Sequence, residues 1–259
     1  KMALFPMHTW LPGAYSDAPS AVSALIAATT TKVAAYVLIR IMFFVFEPQF
    51  SIEIVFMTTL LGWMGAVAMI LGSVMAIVQT DFKRMLAYSS VAQIGYIVLG
   101  VGLANAVGFT GSVLHLVNHA FMKGGLFLVA GAIVYRTGIR EIQGFRNLSI
   151  RMPLTTATFT ICAFAIIGIP PTGGFFSKLY LILGAIEAGN WIFVGVIVLS
   201  SVLALTYLTN VLRYMYFPEE TAVEATGSSP ISEAVTRREV PWTMLGPMLA
   251  IAAAIVLLG

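Results

Sequence analysis

Charge is what this sequence has least of. Only 10% of its 259 residues are Asp, Glu, Lys or Arg and 59% are hydrophobic, where soluble domains carry about 25% charged residues. That balance excludes an ordinary water-soluble fold. Cysteine is almost absent as well: Cys162 stands alone inside an apolar run, so neither a disulfide framework nor a cysteine metal cluster can be built, and it reads as a packing residue. A dinucleotide fingerprint, an iron–sulfur cysteine set and a haem motif are all missing, so no cofactor is expected in this chain. The formal charge of +3 could suggest nucleic acid in a soluble protein. Here the basic residues lie mainly between apolar runs, where they act as orientation signals, and no nucleic-acid partner is expected. Neither an initiator methionine nor a signal-peptide pattern precedes the apolar stretch at Lys1; the sequence reads as a fragment missing its N-terminal part.

What is present in abundance is apolar runs longer than the roughly 20 residues that cross a hydrocarbon core. After a short opening segment that includes Lys1 to Trp10, seven candidate spans follow, at about 18–46, 53–79, 82–104, 107–135, 153–187, 190–217 and 240–258. The expected fold is all-α, a polytopic transmembrane helical bundle forming a single domain over 1–259. Connections are short except near 136–152 and 218–239; the second holds Glu219, Glu220, Glu224, Gly227 and Pro230 and reads as a polar cytoplasmic loop. If the spans alternate, one side collects Lys83, Arg84, Arg136, Arg140, Arg146, Arg151, Arg213, Arg237 and Arg238, and the other at most Arg40. The positive-inside rule makes the first side cytoplasmic in a bacterial or archaeal cell membrane.

Each ionisable residue at membrane depth needs a reason, because a charge at a helix centre costs about 2.5 to 3.5 kcal/mol on insertion scales. Lys32 lies midway along its span, about 21 Å from either end by helix rise, with Thr29, Thr30 and Thr31 beside it to solvate it. It is either a packing device held by those hydroxyls or part of a titratable, water-linked path. His115, His119 and Lys123 recur at i, i+4 and i+8, which places all three on one helix face. Histidine and desolvated lysine both exchange protons near neutral pH. Three such groups in register favour a proton path over a satisfied core histidine; a metal site would lack a third ligand nearby in sequence.

The run Gly168-Ile-Pro-Pro-Thr-Gly-Gly174 places Pro170 and Pro171 among Gly168, Gly173 and Gly174 inside an apolar stretch, so the helix should break there, with Lys178 on the second half. A simple kink is the plainer reading, but discontinuous helices mark ion sites in many transporters. Lys1, followed by Phe5-Pro6-Met7-His8 and Trp10-Leu11-Pro12, repeats the device of a lysine beside a proline-interrupted segment. His8 alone carries little. Asp81 is expected to cap the following helix while Lys83 and Arg84 anchor its interface, Ser89, Ser90 and Gln93 to bind water or a neighbouring helix, and Arg40 to snorkel outward.

With those positions in view, the chain resembles the antiporter-like subunits shared by respiratory complex I, Mrp-type cation/proton antiporters and membrane-bound hydrogenases. The resemblance is carried, in order, by KMALFPMHTWLPGAYSDAPSAVSA, TKVAAYVLIR, DFKRMLAYSSVAQIGY, LHLVNHAFMKGGLFL and GIPPTGGFFSKLYLI. It implies a 14-helix subunit with two inverted five-helix repeats, of which this chain would start in the seventh helix. Lys1 and Lys178 would match the lysines of the two broken helices, Lys32 that of the eighth helix, and His115, His119 and Lys123 the polar stripe of the eleventh. The family's pairing glutamate of the fifth helix would lie outside this chain, and some relatives carry glutamate at the position of Lys178.

The implied function is proton translocation through a hydrated mid-membrane chain of Lys and His, within a complex whose other membrane subunits are its partners and whose electron transfer, if any, occurs elsewhere. Sodium/proton exchange of the Mrp type is the alternative drive. Whether the parent complex is an enzyme, such as NADH:quinone oxidoreductase or a membrane-bound hydrogenase, stays open. A seven-helix receptor or retinal protein needs only one buried lysine and no PPTGG break. A non-conducting scaffold would not need the row of ionisable residues.

Overall fold

The computed structural model describes residues 1–46, 56–217 and 239–259; the polar loop expected over 218–239 lies outside them apart from Glu239, as do Arg237 and Arg238. Among the described residues there is no β-strand. Helices α1 (Trp10–Asp17) and α2 (Ser20–Arg40) come first, α2 running on into a π-helical turn, Ile41–Val45. Then follow α3 (Met57–Ile77), α4 (Phe82–Gly102), α5 (Ala106–Thr137), the short α6 (Leu148–Arg151), α7 (Pro153–Ile167), α8 (Gly173–Glu187), α9 (Trp191–Tyr216) and α10 (Trp242–Leu257).

The punctuation is chemical. Each of three helix starts is satisfied by an Asx side chain: Asp81 accepts from the Arg84 amide at 2.8 Å, Asn105 from Gly108 at 2.7 Å and Asn190 from Phe193 at 3.3 Å, filling donors that a helix leaves unpaired at its N-terminus. Helix α5 ends on Gly138 and α7 on Gly168, both at positive φ, 71° and 91°, where a side chain would be strained.

Among the described residues, five helices are long and apolar enough to cross a membrane: α2 with its π turn, α3, α4, α5 and α9. The expected span 153–187 is indeed discontinuous, as two 15-residue helices separated by 168–172. The last helix has only 16 residues, about 24 Å at helical rise, shorter than the expected span 240–258.

Helix α5 is the hub, packed against α2, α4, α7, α8 and α10. Alongside it α3 and α4 lie very close, through glycines: a Cβ on Gly95 would stand 2.6 Å from the Gly65 carbonyl oxygen, and one on Gly72 would stand 2.6 Å from the Ala92 nitrogen. In lipid, where no hydrophobic force drives helices together, such close backbone approach supplies the van der Waals contact. Gly95→Leu is therefore expected to lower the unfolding temperature of the detergent-solubilised protein, since overpacking costs about 1–3 kcal/mol. Gly195→Leu, with open space around it, should not; equal behaviour of the two variants would show that this contact is not tight.

The basic residues of the short connections gather at one end of the bundle. There the 140–142 backbone pairs with that before α4, Phe82 N donating to Arg140 O and Ile142 N to Thr80 O, both at 3.0 Å. Arg40 lies at the other end of α2, exposed, its guanidinium 4.8 Å above the Phe44 ring. One expectation fails here. Lys83 does not reach to an interface but is buried, its Nζ donating to Ala18 O at 3.3 Å, because the carbonyl ahead of α2 lies against the first turn of α4 and offers an acceptor nearer than water.

Candidate functional site

The hub helix carries the polar stripe inward. His115, His119 and Lys123 are 0% exposed, and Lys32 and Lys178, from α2 and α8, are each 5% exposed, so none faces the outer surface of the bundle. An uncompensated cation in hydrocarbon would be far costlier than one turned to protein.

Lys178 explains the break in the fifth apolar run from within. Its Nζ reaches back across the gap and donates to Ile166 O at 2.7 Å, Ile167 O at 3.0 Å and Ser201 Oγ at 3.1 Å. The first two acceptors are the last carbonyls of α7, left without partners by the chain's turn at Gly168, and they form the negative end of that helix's dipole. The glycines make the fit possible. A Cβ on Gly168 would come within 3.1 Å of the Lys178 stem, and one on Gly174 would overlap the Ala165 carbonyl. Asn118 of α5 fastens the start of α8, donating from Nδ2 to Gly173 O at 2.7 Å. A cavity of about 290 Å³ lined by Gly168, Phe175, Lys178 and Ser201 adjoins the amine.

From Lys178 the polar row runs inward without interruption. Its amine sits 4.8 Å from the centroid of the Tyr96 ring, and the Tyr96 hydroxyl is 3.1 Å from Ser201 Oγ. The same ring is 5.2 Å from that of His115, which in turn stacks on His119 at 6.0 Å and 12°. His115 bridges three helices: Nε2 lies 3.0 Å from Gln93 Oε1 on α4, and Nδ1 lies 2.9 Å from Ser177 Oγ on α8. The Ser177 hydroxyl also lies 3.0 Å from Gly174 O. Its one proton can serve Nδ1 or that carbonyl, but not both, so which it serves depends on the tautomer and protonation of the ring.

Two turns along α5, Lys123 donates to Leu86 O at 2.9 Å and to Ser89 Oγ. Lys32 donates to Ala27 O of its own helix, and α2 packs against α5, which carries His115, His119 and Lys123. The threonine cushion expected around Lys32 does not take this form. Thr29 turns its hydroxyl back to Leu25 O at 2.8 Å, the usual intrahelical bond of a threonine.

The structure thus brings together Lys32, His115, His119, Lys123 and Lys178, and leaves Lys1 exposed at the start of the chain, outside the cluster. His8 is half-buried, its ring 5.8 Å from that of Phe5. Among the described residues, several atoms of the cluster have no protein partner: both nitrogens of His119 and Nε2 of Gln93. A buried donor or acceptor left unpaired costs about 1–3 kcal/mol.

Against this geometry, residues 1–204 match the family described as NADH:quinone oxidoreductase/Mrp antiporter, transmembrane. The chain belongs to that family. The NADH-quinone oxidoreductase subunit N of Desulforudis audaxviator is 46% identical over the whole chain and 52% of its own length, and the F420H2 dehydrogenase subunit N of Methanosarcina mazei is 42% identical over 84% of the chain and 45% of its own length. Among solved structures, the Mrp complex of Dietzia sp. DQ12-45-1b contains a chain that superimposes with a TM-score of 0.88 at 28% identity, covering 100% of this chain and 53% of that one. The chain spans about half the length of the relatives it matches. The all-helical, multi-pass membrane fold implied by the NADH:quinone oxidoreductase/Mrp resemblance is thereby established, and with it an integral membrane location.

Sequence reasoning passed over Tyr96, Ser177 and Ser201. For Tyr96 a signal existed: Ser89, Gln93 and Tyr96 recur at helical spacing along α4, a polar stripe facing that of α5. For Ser201, one of a pair with Ser200 in an otherwise apolar run, the sequence carries no sign of which neighbour it meets.

Proposed function

We propose that this chain is the ion-translocating part of a membrane subunit in a complex I-type or Mrp-type assembly, and that protons cross it through Lys32, Lys123, His119, His115 and Lys178. The observation that carries the reading is the buried row in which Lys178, Ser201, Tyr96, Ser177, His115 and His119 follow one another by hydrogen bonds and ring contacts, with Lys123 one turn further along α5 and Lys32 buried on α2, which packs against α5. The unpartnered nitrogens of His119 and Gln93 support water as the remaining link, since buried polar groups without protein partners are ordinarily satisfied by ordered water. Lysine suits the task because it gives up its proton when its surroundings are desolvated or another cation approaches, and regains it when they relax. Lys1, beside its own proline-bounded segment, is assigned to the same row as the counterpart of Lys178, and the repeated device supports an inverted-repeat architecture. The arginine-rich end is assigned to the cytoplasmic face of a bacterial or archaeal cell membrane, and the partners are the other membrane subunits of the complex. The chain's own residues supply proton carriers; redox chemistry, where the complex performs it, belongs to other subunits.

The test uses the whole complex reconstituted in liposomes, with lumenal pH and sodium followed by separate dyes. Lys123→Met should remove ion uptake to background while the subunit remains in the complex, because the methionine fills the site and leaves no buried charge. Uptake at the native rate would overturn the reading. A sodium signal moving opposite to the proton signal would assign the exchange mode of drive; proton movement with turnover of an electron donor would assign the redox mode.

A further inference from the structure

The ammonium of Lys178 places its three protons on Ile166 O at 2.7 Å, Ile167 O at 3.0 Å and Ser201 Oγ at 3.1 Å. A proton carrier must also exist as the neutral amine, which has two protons and a lone pair. Losing one proton leaves an acceptor where a donor stood, and a buried lone pair is costly unless a donor turns toward it. Ser201 can supply that donor, because a hydroxyl both donates and accepts. Its proton lies on Ile197 O at 3.0 Å, so turning it to the amine takes it from that carbonyl.

Tyr96 covers the carbonyl that Ser201 would leave. The residue is 0% exposed, and its hydroxyl stands between two acceptors, 3.2 Å from Ile197 O and 3.1 Å from Ser201 Oγ. With the ammonium present, Ser201 accepts from Lys178 and donates to Ile197 O, while Tyr96 donates to Ser201 Oγ. With the amine present, Ser201 donates to Lys178 and Tyr96 donates to Ile197 O. Every donor in the set then has an acceptor in both states, and neither hydroxyl gives up its proton. A similar set recurs at Lys123. There Ser89 Oγ accepts from the amine and donates to Leu86 O at 2.9 Å, and Ser90 donates to that same carbonyl at 3.0 Å.

We propose that Ser201 and Tyr96 are positioning residues for proton transfer at Lys178, exchanging hydrogen bonds so that its charged and neutral forms are both satisfied. The proposal rests on Lys178 being a proton carrier. The proton that leaves the ammonium passes to a water of the path, and the lone pair takes one back as Ser201 returns to Ile197 O. Tyr96 acts through Ser201, while its ring, 4.8 Å from the amine, attracts the charged form. A lysine that only capped α7 would gain nothing from a second hydroxyl behind the first.

Threonine and valine have nearly the same shape and differ by the hydroxyl. In the intact complex in liposomes, Ser201→Thr should therefore carry protons about tenfold faster than Ser201→Val at equal subunit abundance, the effect of one buried group left unsatisfied. Tyr96→Phe keeps the ring and its contact with the amine, and should slow flux about fivefold, the effect of one hydrogen bond. Because Tyr96 acts through Ser201, adding Tyr96→Phe to Ser201→Val should slow flux no further. Equal flux in Ser201→Thr and Ser201→Val, native flux in Tyr96→Phe, or losses that multiply in the double variant would each overturn the exchange. If any of these is seen while Lys178→Arg stays at background, Lys178 remains a carrier and only the exchange is lost; native flux in Lys178→Arg would overturn the wider reading itself. Should Ser201→Val fail to assemble, Tyr96→Phe against the native complex decides alone.

Discussion

Replacing Lys178 by arginine in the intact complex should leave the subunit assembled and proton uptake at background. The reason lies in where the amine is spent. It holds the two last carbonyls of α7, Ile166 O and Ile167 O, together with Ser201 Oγ, so it joins the two halves of the broken helix as well as standing at the end of the buried row. Arginine retains a positive charge and several donors for those carbonyls, yet does not release its proton at any pH the protein meets. Alanine is the less informative change at this position. It would strip the α7 terminus of its donor, at a cost of about 1–3 kcal/mol for each acceptor left dry, so lost uptake would be confounded with lost structure. At Lys32 the situation is reversed: among the described residues the amine bonds to Ala27 O of its own helix, and Lys32→Ala should assemble normally while abolishing uptake. Proton uptake in vesicles and subunit abundance measure both. Near-native uptake by Lys178→Arg and Lys32→Arg would leave these lysines an electrostatic role at most.

The second large effect is expected at His115. It is the one side chain that touches α4 and α8 from α5 through both ring nitrogens, and its ring links Tyr96 to His119. His115→Phe fills the same space but interrupts the row, and uptake should fall by about a hundredfold if the imidazole transfers protons. It also leaves Gln93 Oε1 without its partner, while Ser177 keeps Gly174 O, so the unfolding temperature in detergent should drop by the equivalent of about 1–3 kcal/mol. Ser177→Ala separates the two consequences. It deletes the hydroxyl that chooses between Nδ1 and Gly174 O, and should slow uptake strongly while the imidazole and its bond to Gln93 remain. If both variants take up protons at the native rate, the imidazole is structural and the path runs elsewhere.

The sequence by itself determined the elements. Apolar run lengths located the long helices, since crossing hydrocarbon demands about 20 apolar residues and leaves few other ways to satisfy a backbone. The dihedral limits of Pro170, Pro171 and their glycines ended α7 where they stood, and the 3.6-residue period put His115, His119 and Lys123 on one face of α5. These are local facts, fixed by covalent geometry and by the solvent. Tertiary structure alone decided the partners. That Lys178 turns back to cap α7, that Tyr96 stands between it and His115, and that Lys83 finds Ala18 O instead of water all depend on contacts between helices. Their approach is set by glycine spacing and the crossing of whole helix faces, such as Gly65 against Gly95. A side chain's period along its own helix gives the direction in which it points, but not which neighbour stands there, because that neighbour is chosen by the packing of the entire bundle.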